Sequence, residues 1–190
     1  MKTRAGKKCP SLLRRRDLLI SGVAGLSVIG LGSSCATNEV TSRDAQAMGG
    51  HPLDGLTDFE GHKVTPLPIL GRPATVIDFW ASWCVPCRQG FRYLDQMYRT
   101  WSGRGLDVIA ISVDDDPNAA RRFWASMRAK FPVAWDVGGE VRERFGVSQL
   151  PTTVLLDGQG LLVQRTTGFD VADHRYLEEQ VRRLVEQAAG

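Results

Sequence analysis

Residues 74–87 read ATVIDFWASWCVPC and give the strongest indication of the fold. Its first half is a nearly continuous apolar run, typical of a strand that is buried on both faces of a sheet. Its second half carries Cys84 and Cys87 with Pro86 between them. Proline fits the first turn of a helix, because its missing N–H would have no partner there. The stretch therefore predicts a buried strand that turns directly into a helix beginning at Cys84.

The two cysteines carry the predicted chemistry. Cys84 falls at a helix N-terminus, where unpaired N–H groups and the helix dipole stabilise a thiolate. Such positions lower a cysteine pKa from about 8.5 to between about 3.5 and 7.5. We expect Cys84 to attack a substrate disulfide and Cys87 to resolve the mixed disulfide, which leaves Cys84 bonded to Cys87. The same steps in reverse oxidise a dithiol.

A pair of cysteines at this spacing is also typical of half a zinc site or of a structural disulfide. The globular part adds only His51, His62 and His174, none at ligand spacing to the pair. We therefore predict no metal and no cofactor beyond the redox-active disulfide. Copper binding stays open as a second hypothesis, since thiol pairs bind Cu(I), and His174 is then the added ligand. A thiol peroxidase is a weaker third, because the sequence lacks the Pro-x-x-x-Thr-x-x-Cys arrangement of that class.

The patterns around this stretch predict an α/β fold with a central mixed sheet flanked by helices. Apolar residues at helical spacing follow the cysteines, and a second buried strand follows that helix. The other predicted elements are an opening hairpin over Leu53–Leu67, a helix from Pro117 to Pro132, a strand over 133–135, a helix over 140–145, a hairpin of 152–156 with 161–167, and a last helix after Asp173.

The first thirty-five residues have the layout of an export signal. This segment holds seven basic residues and one acidic residue, then an uncharged apolar run over 18–31, and ends at Cys35. The run is too short to span a hydrocarbon core of about 30 Å comfortably. Residues 14–19, RRRDLL, resemble a twin-arginine signal, with an ordinary secretory n-region as the alternative. Residues 31–35, LGSSC, resemble a lipobox with its leucine one place early, so Cys35 is a candidate for lipidation and would tether the protein to a membrane surface.

Residues 36–50 are polar and rich in small side chains, which predicts a flexible linker before a single domain over 51–190. After Cys35 the chain holds 17 basic and 20 acidic residues, so the basic character of the whole belongs to the leader. The domain carries no basic block that would indicate a nucleic-acid partner. We expect a monomer.

Two segments together carry a resemblance to a known family. Residues 76–87, VIDFWASWCVPC, with residues 150–153, LPTT, resemble the thioredoxin superfamily, and most closely its TlpA/ResA/DsbE-like branch of extracytoplasmic thiol:disulfide oxidoreductases. The likeness runs from about Leu53 to the C-terminus. It implies a thioredoxin-like fold in which residues 114–147 form an inserted helix and strand.

The resemblance also implies roles for particular residues. Pro151 matches the cis-proline that faces the cysteines, and Leu150, Trp83 and Pro86 are then expected to contact substrate. Asp78 matches a buried acid that accepts the proton of Cys87, whereas the branch often has asparagine there. A carboxyl that merely pairs with a neighbouring polar group is the alternative for Asp78.

The function that the resemblance implies is reduction of disulfides in exported proteins outside the cytoplasm. Apocytochromes c are one candidate client. A membrane thiol carrier would supply the electrons.

Overall fold

The computed structural model describes residues 51–64 and 70–190. The predicted signal over 1–35, the lipidation candidate Cys35, the linker over 36–50 and the end of the predicted opening hairpin lie outside these residues. In the described part, no helix combines the length and the hydropathy that a membrane span requires.

Five strands form one mixed sheet in the order β3-β2-β1-β4-β5. The strands are β1 (Ala74–Trp80), β2 (Leu106–Ser112), β3 (Val133–Trp135), β4 (Thr152–Asp157) and β5 (Leu162–Thr167). The central strand β1 runs parallel to β2 and antiparallel to β4. All seven residues of β1 are buried, as their continuous apolar character predicts. The predicted mixed sheet is confirmed, including the short strand β3 of the inserted segment.

Four α-helices accompany the sheet in the part of the chain that the structure describes: α1 (Val85–Trp101), α2 (Pro117–Met127), α3 (Glu140–Arg144) and α4 (Val171–Ala188). Two of them have boundaries other than those predicted. Helix α2 ends at Met127 and not at Pro132, because Arg128 adopts a left-handed conformation with φ 52°. Helix α4 begins before Asp173, because Asp170 is its N-cap and accepts a 2.6 Å hydrogen bond from the amide of Ala172.

The predicted opening hairpin is present but short in the described residues, with two backbone hydrogen bonds between its arms. Thr57 pairs with Lys63 across the turn at Glu60 and Gly61, and this is an isolated bridge without a ladder. Thr57 also bridges to Trp135 of β3. The first arm of the hairpin therefore pairs with the second arm on one side and with the edge strand β3 on the other.

Side chains of β1 alternate between two core clusters, one on each face of the sheet. Ile77 and Phe79 face a cluster that includes residues of α3. Val76 and Trp80 face the other cluster, which contains the buried sides of α1, α2 and α4 and both Cys84 and Cys87. Even-numbered residues of β1 therefore point to the face that carries the cysteines.

Candidate active site

The redox pair occupies the junction between β1 and α1. Cys84 is the N-cap of α1 with extended backbone angles, and its sulfur accepts a 3.3 Å hydrogen bond from the backbone N–H of Cys87. The two residues are joined by a disulfide, with their Cα atoms 5.4 Å apart. Pro86 lies in the first turn of the helix, as expected. A donor aimed at the Cys84 sulfur at a helix N-terminus is the arrangement that stabilises a thiolate there.

The exposure of the site is uneven. The side chain of Cys84 is 5% exposed and that of Cys87 is fully buried, so a partner reaches Cys84 first. Trp83 and Val85 on either side of Cys84 are 70% and 74% exposed. Large apolar side chains that remain in solvent around a reactive sulfur indicate a surface on which another protein or peptide rests.

The loop before β4 is the second wall of the site. The Leu150–Pro151 peptide bond is cis, and the carbonyl oxygen of Pro151 accepts a 2.8 Å hydrogen bond from the amide of Gly168. Leu150 and Trp83 line one pocket of about 460 Å³. The structure therefore brings together the segment before the cysteines and the segment before β4, which the sequence separates by more than sixty residues.

Asp78 is buried on the same face of the sheet as the cysteines. Its carboxyl is 2% exposed and accepts a 2.7 Å hydrogen bond from the hydroxyl of Thr153, its neighbour on β4. Burial raises the pKa of this carboxyl from the ordinary 3.8 to about 7, and the Thr153 hydrogen bond acts in the opposite direction. Asp78 therefore has the raised pKa that a proton acceptor needs. It also has the polar partner that the alternative interpretation expected.

Asp114 holds the loop that leads into Cys84, a role that the sequence did not predict. Its carboxylate accepts hydrogen bonds from the backbone amide of Ser82 at 2.8 and 3.1 Å and from the Ser82 hydroxyl at 2.6 Å. The hydroxyl of Ser112 adds another at 2.9 Å. The sequence pattern that could have predicted this role is the run of polar residues directly after β2. The parallel strands β1 and β2 end at the same edge of the sheet, since Trp80 and Ser112 are register partners.

The surroundings of His174 do not match the predicted role of copper ligand. It is buried in contact with the rings of Phe169 and Tyr93, and its Nδ1 lies 2.9 Å from the carbonyl oxygen of Asp170. Its other nitrogen faces Gly90 of α1. Over residues 51–64 and 70–190, no group of three or more His, Cys, Asp or Glu side chains could hold a metal ion. This geometry offers the copper hypothesis no support.

A buried strand, a cysteine pair at the start of the next helix and a cis-proline before the neighbouring strand together define a thioredoxin-fold dithiol/disulfide protein. Comparison with known proteins narrows the class. The Redoxin family model matches residues 60–181. The chain therefore belongs to the redoxin family of the thioredoxin superfamily, in its TlpA/ResA/DsbE-like branch, and is a thiol:disulfide oxidoreductase.

Individual relatives agree with this placement. The thiol-disulfide oxidoreductase ResA of Bacillus thuringiensis subsp. konkukian is 33% identical over 129 residues, covering 68% of this chain and 73% of that protein. A Chlorobium tepidum structure, described as a thiol:disulfide interchange protein DsbE, is 36% identical with a TM-score of 0.59 and covers 62% of this chain and 82% of its own. A secreted Mycobacterium tuberculosis disulfide oxidoreductase shares the fold, at 20% identity and a TM-score of 0.56 over 67% of this chain and 93% of its own.

Proposed function

We propose that this protein works outside the cytoplasm as a reductase of disulfides in exported proteins. The observation that carries the thiol–disulfide exchange chemistry is Cys84 at the N-cap of α1, with the Cys87 amide directed at its sulfur. The reductive direction is proposed from the likeness to the ResA-like branch. A thiolate stabilised in the free protein is a good attacking group, and the buried Cys87 is held within bonding reach for the second step. The same site also catalyses the reverse reaction, so the reduction potential of the pair decides the direction.

The reaction proceeds in two balanced steps. The Cys84 thiolate attacks one sulfur of the client disulfide, a bond forms between Cys84 and the client, and the other client sulfur leaves as a thiolate. Cys87 then loses its proton and attacks the Cys84 sulfur, which releases the second client thiolate and closes the Cys84–Cys87 disulfide. The client gains two electrons and the protein loses two, which a membrane thiol donor restores.

Asp78 is the proposed acceptor of the Cys87 proton. It lies on the sheet face that the cysteines cover, and a carboxyl with a pKa of about 7 can both take and return a proton near neutral pH. Trp83, Pro86, Leu150 and Pro151 are proposed to contact the client segment around its cysteine. This role fits the exposure of Trp83 and the pocket that it shares with Leu150.

The extracytoplasmic location rests on the leader and not on the domain. The basic, apolar and small-residue segments in 1–35 favour export, with Cys35 as the site of a lipid anchor. Among the relatives, the Mycobacterium tuberculosis protein is secreted. A surface-tethered reductase of this kind would serve exported proteins with paired cysteines, and apocytochromes c are one such client class.

Trapping in the exporting cell tests this function directly. Cys87→Ala removes the resolving thiol, so clients and the membrane donor should accumulate as mixed disulfides on Cys84. Cys84→Ser, as the matched control, should trap nothing. If no exported or membrane protein is bound to Cys84 in the Cys87→Ala strain, the proposal is wrong.

The direction of the reaction needs its own measurement. The reduction potential of the Cys84 and Cys87 pair, measured in defined thiol buffers, should lie below about −230 mV for a reductant. A potential above about −150 mV would make the protein an oxidant of its clients.

A further inference from the structure

The pocket between the two active-site loops is lined by one charged residue, Arg142. Its lining is Trp83, Arg142, Val147, Ser148, Gln149 and Leu150. Trp83 precedes the nucleophile and Leu150 precedes the cis-proline, so the pocket adjoins the sulfur that a client cysteine must approach. A side chain one or two residues from that client cysteine is therefore within the reach of this pocket, since consecutive Cα atoms are 3.8 Å apart.

In the described part of the chain, the charge of Arg142 is not paired with another side chain. The guanidinium takes part in no ion pair or hydrogen bond among these residues, although the backbone N–H of Arg142 donates a 2.7 Å hydrogen bond to Asp136. Its helix neighbour Arg144 differs, because that side chain donates to the carbonyl oxygens of Pro52 and Asp54. The half-buried guanidinium therefore keeps donors that are open to solvent and can bind a ligand.

The position of the guanidinium is nevertheless defined by the backbone below it. A Cβ atom added at Gly139 would lie 3.2 Å from Nη2 of Arg142 and 3.5 Å from its Nε, at a residue with φ +79°. The absence of a side chain at Gly139 thus leaves the space in which the guanidinium packs. One acid of the same helix, Glu140, directs its carboxylate toward Gly55, with Oε2 3.6 Å from a Cβ placed there.

We propose that this pocket binds the client side chain that flanks the reacting cysteine, and that Arg142 selects an acidic one. The inference rests on the proposed function and names its substrate class: disulfide-bonded segments with Asp or Glu within two residues of the attacked cysteine. A planar guanidinium accommodates a carboxylate through two parallel hydrogen bonds. Trp83, Val147 and Leu150 supply apolar contact for the methylene groups of that side chain.

Matched peptide disulfides test the inference. The probes are homodimers of one short peptide with a single cysteine, carrying Glu, Gln or Lys at each of the two positions before and after it. Stoichiometric reduced protein is mixed with each probe, and released peptide thiol is measured over time. We expect a preference for Glu over Gln of about fivefold at one or more positions at low salt, decreasing at about 0.5 M salt.

Three variants assign the preference to its source. Arg142→Gln should abolish it and Arg142→Glu should replace it with a preference for Lys. Arg92→Gln is the matched control, since Arg92 lines a separate pocket between α1 and the start of α4, and it should leave the preference unchanged. Reduction of the small neutral hydroxyethyl disulfide should be equal in wild type and Arg92→Gln. For every protein, the peptide rates are divided by its own rate with this disulfide, which removes any general change at the redox site.

The outcomes distinguish a failure of the selection by Arg142 from a failure of the proposed reductase function. If the wild-type protein reduces Glu and Gln probes at equal rates, or if Arg142→Gln keeps the preference, the selection by Arg142 is wrong and the oxidoreductase is unaffected. A preference lost only in Arg92→Gln places acid recognition in the other pocket and also contradicts the inference. A wild-type protein that reduces no probe contradicts the proposed function, and the inference fails with it.

Discussion

The Thr153 hydroxyl donates a 2.7 Å hydrogen bond to the Asp78 carboxyl across the pair of strands β1 and β4. Thr153 follows the cis-proline by two residues, and Asp78 precedes Cys84 by six. This bond therefore links the cis-proline strand to the acid beneath the cysteines. It stabilises the ionised form of a carboxyl that burial otherwise keeps protonated.

Thr153→Val should raise the pKa of Asp78 above about 7, because the hydrogen bond that lowers this pKa is lost while burial remains. The shape of the side chain is kept but the buried carboxyl loses its partner, so the free energy of unfolding should fall by about 1 to 3 kcal/mol. The titration of the Asp78 carboxyl carbon by NMR measures the pKa. Thr152→Val is the control, since that hydroxyl donates to the carbonyl oxygen of Gln149 and not to a carboxylate. Equal Asp78 titration in wild type and Thr153→Val would contradict the prediction.

Asp78 should also make the stability of the oxidised protein depend on pH. Its pKa is about 7 in the folded protein against 3.8 as the ordinary value, so the folded state holds the proton over this interval and the unfolded state does not. The stabilisation is fully present below pH 3.8 and is lost as pH rises to about 7, with a total of about 4 kcal/mol as an upper bound.

Asp78→Asn, which cannot ionise, should therefore gain stability relative to wild type as pH rises through this interval. Urea unfolding of both oxidised proteins from pH 4 to pH 8 measures the difference, in which other titrating groups cancel. If the free energies of unfolding of the two proteins change in parallel with pH, the pKa of Asp78 is not raised in the folded protein and the prediction is wrong.

Asp78→Asn should slow the second step of the reaction more than the first. The attack of Cys84 on a client needs no proton acceptor once the thiolate is present, whereas Cys87 must lose a proton to resolve the mixed disulfide. We expect resolution at pH 7 to fall by about 10²-fold with little change in initial attack. Rapid-quench kinetics with a model disulfide separates the two rates. An equal loss in both steps would remove Asp78 from the proton transfer.

Ser82→Ala should loosen the loop that presents Cys84. The change removes the 2.6 Å hydrogen bond from the Ser82 hydroxyl to Asp114 and keeps the two backbone contacts. A hydrogen bond to a charged acceptor contributes about 1.5 to 3 kcal/mol, so stability should fall by about this amount. The alkylation rate of reduced Cys84 at pH 7 should fall as well, because the loop sets the position of its sulfur at the helix N-terminus.

Ser126→Ala supplies the control for this prediction. Its hydroxyl makes a bond of the same 2.6 Å length, but to the neutral carbonyl oxygen of Phe123 in α2. This variant should leave Cys84 alkylation unchanged. If Ser82→Ala and Ser126→Ala have the same effect on alkylation, Asp114 acts on general stability and not on the active-site loop.

The central strand, the start of α1 and the redox pair could be predicted from the amino-acid sequence alone. These features are local: a continuous apolar run predicts a doubly buried strand, and a proline after a cysteine predicts a helix start. Boundaries set by capping competition were predicted less well. Both Asp170 and Asp173 can cap a helix, and only the packed structure selects Asp170. The sequence predicted the opening hairpin but not its pairing with β3, because Trp135 lies far along the chain from Thr57.

The contacts between distant residues around the sulfurs follow from the tertiary structure and could not be predicted from the sequence. Asp114 reaches Ser82 because parallel strands β1 and β2 end at the same edge of the sheet. Thr153 reaches Asp78 because the antiparallel register places them opposite each other on one face. Arg142, Trp83 and Leu150 line one pocket although they belong to three separate segments. Such contacts depend on strand register and loop closure, which arise from the packing of the whole domain and leave no periodic pattern in the chain.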